Sequence, residues 1–183
     1  MASTRKPDSV KLVVAMLSCS QPLFEAAKQR LSEEFGPVDI ESDVIPFDFT
    51  DYYDEEMGRG LLRQFLSFEK LIDPGEIAAI KVRTNALEEQ WAATAGLGVK
   101  RPINLDPGYV SQSKLVLATT KDYSHRVYLA QGIYAEVTLR YQKGHFTAWP
   151  WTYPDYQTPA YIAFFARVRK RYLEQRGAEG RPP

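Results

Sequence analysis

Cysteine is all but missing. Cys19 stands alone among 183 residues, which excludes an intrachain disulfide and any C-x-x-C metal or redox centre. Histidine is nearly as scarce, with only His125 and His145. Neither belongs to an H-x-x-x-H or H-E-x-x-H pattern that would set two imidazoles on one helix face around a metal. A metal centre built from His125, His145, Asp122 or Glu136 is therefore disfavoured, and no metal ligand is assigned. An excess of one charge is lacking too. Lys+Arg and Asp+Glu are equal at 23 each, so no global field draws the chain to nucleic acid or anionic lipid. Such binding would need a local basic patch. The apolar run Val10 to Leu17 is too short for a bilayer, which takes about 20 apolar residues. A basic, polar start precedes it, but Pro22 and the acidic helix beyond fit a first core strand better than a signal peptide. The expectation is a soluble, cytoplasmic protein without membrane contact.

What is present is ordinary globular composition, 44% hydrophobic and 25% charged, in a chain long enough for one sizeable core. One α+β domain over 8–176 is expected, with flexible termini at 1–7 and 177–183. Val10–Leu17 (VKLVVAML) reads as a central strand covered on both faces. Ser20 is placed to cap a helix with Pro22 in its first turn and Leu23, Ala27, Leu31 and Phe35 along one face, ended by Gly36-Pro37. Asp39–Phe49 reads as a strand running into an acidic, aromatic loop, and Leu61–Leu71 as its partner. Asp73-Pro74-Gly75-Glu76 is a helix start, followed by Ile77, Ile80, Thr84, Leu87 and Trp91 at spacings of three and four. With Ile103–Leu105 as the next strand the order is β-α-β-β-α-β, the ferredoxin-like plan, in an antiparallel or mixed sheet. Both helices should lie on one face.

Further on, Asn104–Tyr109 reads as a strand ending in a Pro-Gly turn. Ser111–Lys121 reads as a helix, with a strand at Leu115-Val116-Leu117 as the alternative. Ile133–Tyr141 alternates cleanly as a half-buried strand, Lys143-Gly144 turns it into a hairpin with His145–Trp149, and Thr158-Pro159 opens a helix with Tyr161, Phe165, Val168 and Tyr172 on one side.

Three stretches carry a resemblance: FDFTDYYDEEMG (Phe47–Gly58), INLDPGYVSQSKLVLATTKDYSHRVYLAQGIYAEVTLRY (Ile103–Tyr141) and WTYPDY (Trp151–Tyr156). Together they resemble the bacterial and archaeal family catalogued as domain of unknown function 4416, over about Lys11 to Arg171. The resemblance implies membership and leaves activity and cofactor open. Some members carry a GTP-binding label, and this chain has no G-x-x-x-x-G-K-[ST] to support it.

The densest polar region lies between Asp106 and Glu136. It suits an anionic small molecule bearing phosphate or carboxylate, because cations hold the anion while a carboxylate or imidazole moves protons. Lys114, Lys121, Arg126 and Asp122 are the candidate ligand-binding residues. His125, Asp106 and Glu136 are the candidate acid–base residues. On a helix, Lys114 and Lys121 would share a face two turns apart. The bland alternative is a structural ion-pair network. Ser18-Cys19-Ser20, between a strand and a helix start, offers a weaker anion or thiol site. The acidic loop Asp51, Asp54, Glu55 and Glu56 lacks EF-hand spacing and fits a helix N-terminus or a solvated loop. A rival function is a non-catalytic module that binds nucleic acid or protein. It would use basic Arg167, Arg169, Lys170, Arg171 and Arg176 with Trp149, Trp151, Tyr153 and Tyr156 as stacking surfaces.

Overall fold

The computed structural model describes residues 3–179. Among them the chain forms an α+β structure with four helices and one nine-stranded antiparallel sheet. Strand β1 (Val10–Ser18) sits in the middle. It pairs with β4 (Leu62–Ile72) on one side and β5 (Asn104–Val110) on the other, both antiparallel. Its residues alternate between two apolar layers. Val10, Leu12, Val14 and Met16 pack with α1 (Gln21–Phe35) and α3 (Ile77–Thr94). Val13 and Ala15 pack with α4 (Pro159–Glu179) on the opposite face. A strand buried on both sides reads as a continuous apolar run, which explains VKLVVAML. The exception is Lys11. Its fully buried Nζ donates to Asp39 Oδ2 (2.6 Å), the Phe68 carbonyl (2.7 Å) and Gln175 Oε1 (2.9 Å), tying α4 to the sheet.

The sheet runs β2-β4-β1-β5-β6-β8-β7, with β3 beside β4 and β9 beside β8. Its outer strands are β2 (Val38–Glu41), β3 (Ile45–Pro46), β6 (Lys114–Thr119), β7 (Val127–Ala130), β8 (Ile133–Gln142) and β9 (His145–Ala148). The sheet thus extends well past β5, where the six-element plan would end. As expected, α1 and α3 share one face.

Several local expectations are corrected. The strand expected over Asp39–Phe49 is split, because Ser42 interrupts it: its hydroxyl accepts from Phe65 N–H (2.9 Å) and replaces a ladder bond. Ser20 takes the N-cap position of α1 without a side-chain cap bond. Asp73 does cap, accepting from Gly75 N–H (2.9 Å), but the first turn is 3₁₀ (Pro74–Glu76) before α3 begins. Pro107-Gly108 is not a turn, since β5 runs through it, with Val14 opposite Pro107 and Val13 opposite Gly108. Gly108 is required by the strand on its other side: a Cβ there would strike the Val116 carbonyl and crowd Leu117. Ser111–Lys121 is not a helix. Ser111 N–H donates to the Lys114 carbonyl (2.9 Å), and the chain turns back as β6. Leu115 and Leu117 face α4 while Ala118 faces α1 and α3, so two-sided burial again mimicked an unbroken apolar run. The seven-residue helical spacing of Lys114 and Lys121 therefore does not exist.

The hairpin at Lys143-Gly144 forms as expected, both residues taking positive φ (51° and 88°), the arrangement of a two-residue turn matched to strand twist. A second such turn, Gln131-Gly132 (56° and 75°), joins β7 to β8. Helix α4 continues to Glu179, so Gly177 lies inside it and not in a tail. Residues 1–2 and 180–183, assigned above to flexible termini, lie outside the described residues. Among the described residues no helix is long and apolar enough to cross a membrane.

Candidate functional site

A cleft of about 900 Å³ opens at the ends of the central strands. Its floor follows from register. Leu17 of β1 is flanked by Arg63 of β4 and Asn104 of β5, and Ala15 by Phe65 and Asp106. Arg63, Asn104 and Asp106 therefore approach one another over β1, from the two strands that flank it. One wall is the aromatic segment before α2 (Asp54–Met57), with Phe47, Phe49, Tyr52 and Tyr53. The opposite wall is Thr119–Lys121 and Tyr123, and the 3₁₀ turn Pro154–Gln157 contributes Asp155 and Tyr156.

Arg63 is the central cation. It is 4% exposed, with Nη1 3.8 Å from Asp106 Oδ2 and Nη2 3.7 Å from Asp155 Oδ2. These are ion pairs beyond hydrogen-bonding distance, and neither Nε nor Nη1 has a hydrogen-bond partner among the described residues. Its guanidinium lies 5.0 Å from the Phe47 ring centroid. Burial opposes its charge, but the surrounding phenols and carboxylates outweigh that and push its pKa up.

Asp106 is held by three partners. Lys81 Nζ donates to Oδ1 (3.3 Å), Asn104 Nδ2 donates to Oδ2 (2.6 Å), and Arg63 stands beyond. Burial raises its carboxyl pKa, yet Lys81, Arg63 and Asn104 together hold it below the ordinary value. Asp155 goes the other way, because burial pushes it up despite Arg63. Glu88 is also raised by burial, although it is well partnered. Its Oε1 accepts from Leu105 N–H (2.8 Å) and Oε2 from Arg101 Nε and Nη2 (3.0 and 2.8 Å). Arg101 also donates to Asn104 Oδ1. Burial lifts the Tyr53 phenol to about 12.

The two aspartates predict opposite pH signatures. Asp106, depressed in the fold, contributes stability that is present above the unfolded pKa and lost as pH falls through its folded value. Asp155, elevated in the fold, contributes stability that is present at acid pH and lost as pH rises through its folded value. In urea titrations from pH 3 to 7, the deficit of Asp106→Asn relative to wild type should shrink toward acid. The deficit of Asp155→Asn should shrink toward neutrality. Parallel curves for the two variants would contradict this.

On the second wall, Arg126 Nε donates to Glu136 Oε2 (2.9 Å) and its Nη1 to the Lys121 carbonyl (3.0 Å). His125 Nε2 lies 3.1 Å from the same Glu136 oxygen. Lys121 reaches across the mouth to Tyr52, 3.4 Å from its hydroxyl and 4.8 Å from its ring centroid. Among the described residues no carboxylate pairs with Lys121.

Of the residues singled out from sequence, Asp106, Lys121, Arg126 and Glu136 line this cleft. His125 stands behind Glu136. Lys114 and Asp122 do not line it. Lys114 is exposed at the start of β6 opposite Arg140, and Asp122 is exposed in the following loop, so neither is placed to hold a ligand there. Sequence reading missed Arg63, Lys81, Glu88, Arg101 and Asp155. A signal existed for part of this set: Ile77, Lys81, Thr84 and Glu88 follow helical spacing and are all buried, a polar interruption of an apolar stripe. Arg63 likewise stands two residues before buried Phe65 on one strand face. Its partners are far away in sequence, which no local pattern reveals.

The remaining candidates are taken up elsewhere. Cys19 packs with Leu17, Phe47 and Met57 in a small apolar cluster. Asp54, Glu55 and Glu56 do fall in the first turn of α2. Among the described residues no three His, Cys, Asp or Glu side chains are grouped to hold a metal ion. Four of the five basic residues of α4 are engaged within the fold: Arg167 with the Glu41 carbonyl, Arg169 with the Gln112 carbonyl and the Tyr141 ring, Arg171 with Asp39, and Arg176 with Asp8, while Lys170 is exposed. Trp149, Trp151, His125 and Tyr123 form a run of stacked rings, with Arg140 over Trp149 and Arg126 over Tyr123.

Residues 8–172 match the family described as Domain of unknown function (DUF4416), and the chain belongs to that family. No curated protein and no solved structure matches the chain.

Proposed function

We propose that the cleft binds a small anionic molecule bearing phosphate or carboxylate. The observation that carries this is Arg63, a buried guanidinium lining the cleft with two nitrogens unpartnered among the described residues. Buried donors without acceptors are costly, and an incoming oxyanion supplies acceptors. Lys121, with no carboxylate partner, is the second receptor, at the mouth. Arg126 is oriented by Glu136, and His125 acts through that carboxylate as a positioning residue. Asp106 and Asp155, whose carboxyl pKa values are shifted in opposite directions beside one cation, are suited to proton transfer if the ligand reacts. The rival nucleic-acid or protein-binding reading is less well supported, because four of the five α4 cations and the stacked rings are already engaged with other groups of the fold. We also read β2-β4-β1-β5 as a ferredoxin-like unit to which β6–β9 are added.

Calorimetric titration with inorganic phosphate, pyrophosphate and citrate tests the reading. At least one should bind, and Lys121→Ala should weaken it about tenfold, the worth of one charge-assisted hydrogen bond. The melting temperature of the free protein should not move, since Lys121 is exposed. His125→Ala should also weaken binding while destabilising the fold less than Leu139→Ala, which opens a core cavity. Binding that both variants leave intact would place the site elsewhere.

A further inference from the structure

The mouth of the cleft is ringed by exposed aromatic side chains from separate segments. Tyr52 is 67% exposed, Tyr123 59% and Tyr153 51%, and all three line the cleft. Two are already in use. Lys121 lies over Tyr52, while His125 stacks on Tyr123 and Arg126 lies over it. Tyr153 differs. Among the described residues no ring stacks on it and no cation lies over it, yet Arg126 Nη2 donates to its hydroxyl (3.4 Å) and fixes its tip beside the cationic wall. Its backbone is fixed as well, since its carbonyl accepts from Tyr156 N–H (3.1 Å) at the start of the 3₁₀ turn. An oriented, half-exposed aromatic face at the rim of a polar cleft is a stacking platform for a flat ring.

We infer that the ligand is a small anion carrying a flat aromatic ring, its anionic group toward Arg63 and Lys121 and its ring on Tyr153. This rests on the anion-binding reading above and adds the second half of the ligand. A ring on Tyr153 lies next to Arg126, whose charge favours the electron-rich face of an aromatic group. A purely aliphatic anion would leave that platform wet.

The test uses the full chain and two commercial probes of equal charge and similar apolar size, phenyl phosphate and butyl phosphate. Phenyl phosphate should bind about tenfold more tightly, the scale of an aromatic pair beyond simple burial. Tyr153→Phe, which keeps the ring and loses only the Arg126 contact, should keep part of the preference, and Tyr153→Ala should abolish it while leaving butyl phosphate affinity unchanged. Equal affinity in wild type, or a preference that survives Tyr153→Ala, overturns the inference. If both phosphates bind equally and Lys121→Ala weakens both, the anion site stands and only the ring assignment falls. If neither binds, the ring assignment falls, and the anion site falls with it only if phosphate, pyrophosphate and citrate also fail to bind. A single-stranded oligonucleotide that displaces phenyl phosphate at lower concentration than phenyl phosphate itself requires would replace the small molecule by an extended strand.

Discussion

Arg63→Met should cost the protein about 3–5 kcal/mol of stability, the usual result of removing one partner from a buried ion pair. Methionine replaces the aliphatic stem of the arginine but not its guanidinium, so the loss combines the missing charge with the space its head group leaves. Asp155 and Asp106 would keep their burial and lose the cation between them. Asp155 is the more exposed to this loss of compensation, because burial already disfavours its charge and Arg63 is the chief opposing influence. The penalty should therefore be larger at neutral pH than at pH 4, where Asp155 is more readily protonated. Urea denaturation at the two pH values checks this. A small and pH-independent change would mean that the guanidinium does not interact with these carboxylates. Combining Arg63→Met with Asp155→Asn should recover part of the loss, a non-additivity expected of groups in contact.

Gly108→Val should be almost as damaging, at about 3 kcal/mol, for a reason of shape alone. The added Cβ would fall on the Val116 carbonyl with the Leu117 Cα 3.2 Å away. Neither is a flexible side-chain tip, so strands β5 and β6 would have to separate where Gly108 faces Leu117. Overpacking of this kind costs about 1–3 kcal/mol, and more where backbone must move. Gly108→Ala should be milder in effect on packing elsewhere but similar in sign. Thermal melts of the two variants measure it, and unchanged melting temperatures would show that the strands can part without loss.

Both positions also show where the sequence was legible. The central strand, the two helices α1 and α3, the β8 alternation and the Lys143-Gly144 hairpin all announce themselves through local periodicity or turn chemistry. Asp106, Arg126, Lys121 and Glu136 could be grouped because polar residues crowd one stretch of chain. Pro107-Gly108 misled because the dipeptide is a strong turn signal, whereas here Gly108 serves the close approach of a neighbouring strand. Leu115–Leu117 misled because burial on both sheet faces erases the two-residue alternation that marks a strand. Arg63 and Asp155 were invisible as a pair, separated by half the chain and joined only by the register of β4 and the placing of the turn after β9. Lys114 and Asp122 failed for the complementary reason, since nearness in sequence did not bring them to the cleft.

The central position of β1 has a kinetic consequence. Val10 pairs with Ile72 and Lys11 with Val110, so the first strand made is flanked by strands made much later. At about 5–20 residues per second, the roughly 100 residues up to β5 take on the order of 5–20 s to emerge. For that interval the segment VKLVVAML is complete but has no neighbour on one edge, and for over half of it none on either. Contacts so distant in sequence slow folding, because loop closure comes before any reward from pairing. During synthesis this strand is the stretch most open to capture by a chaperone or by the same stretch of another nascent chain, and Lys11, whose charge is paired only once Asp39 arrives, stands near its start as a guard against that pairing.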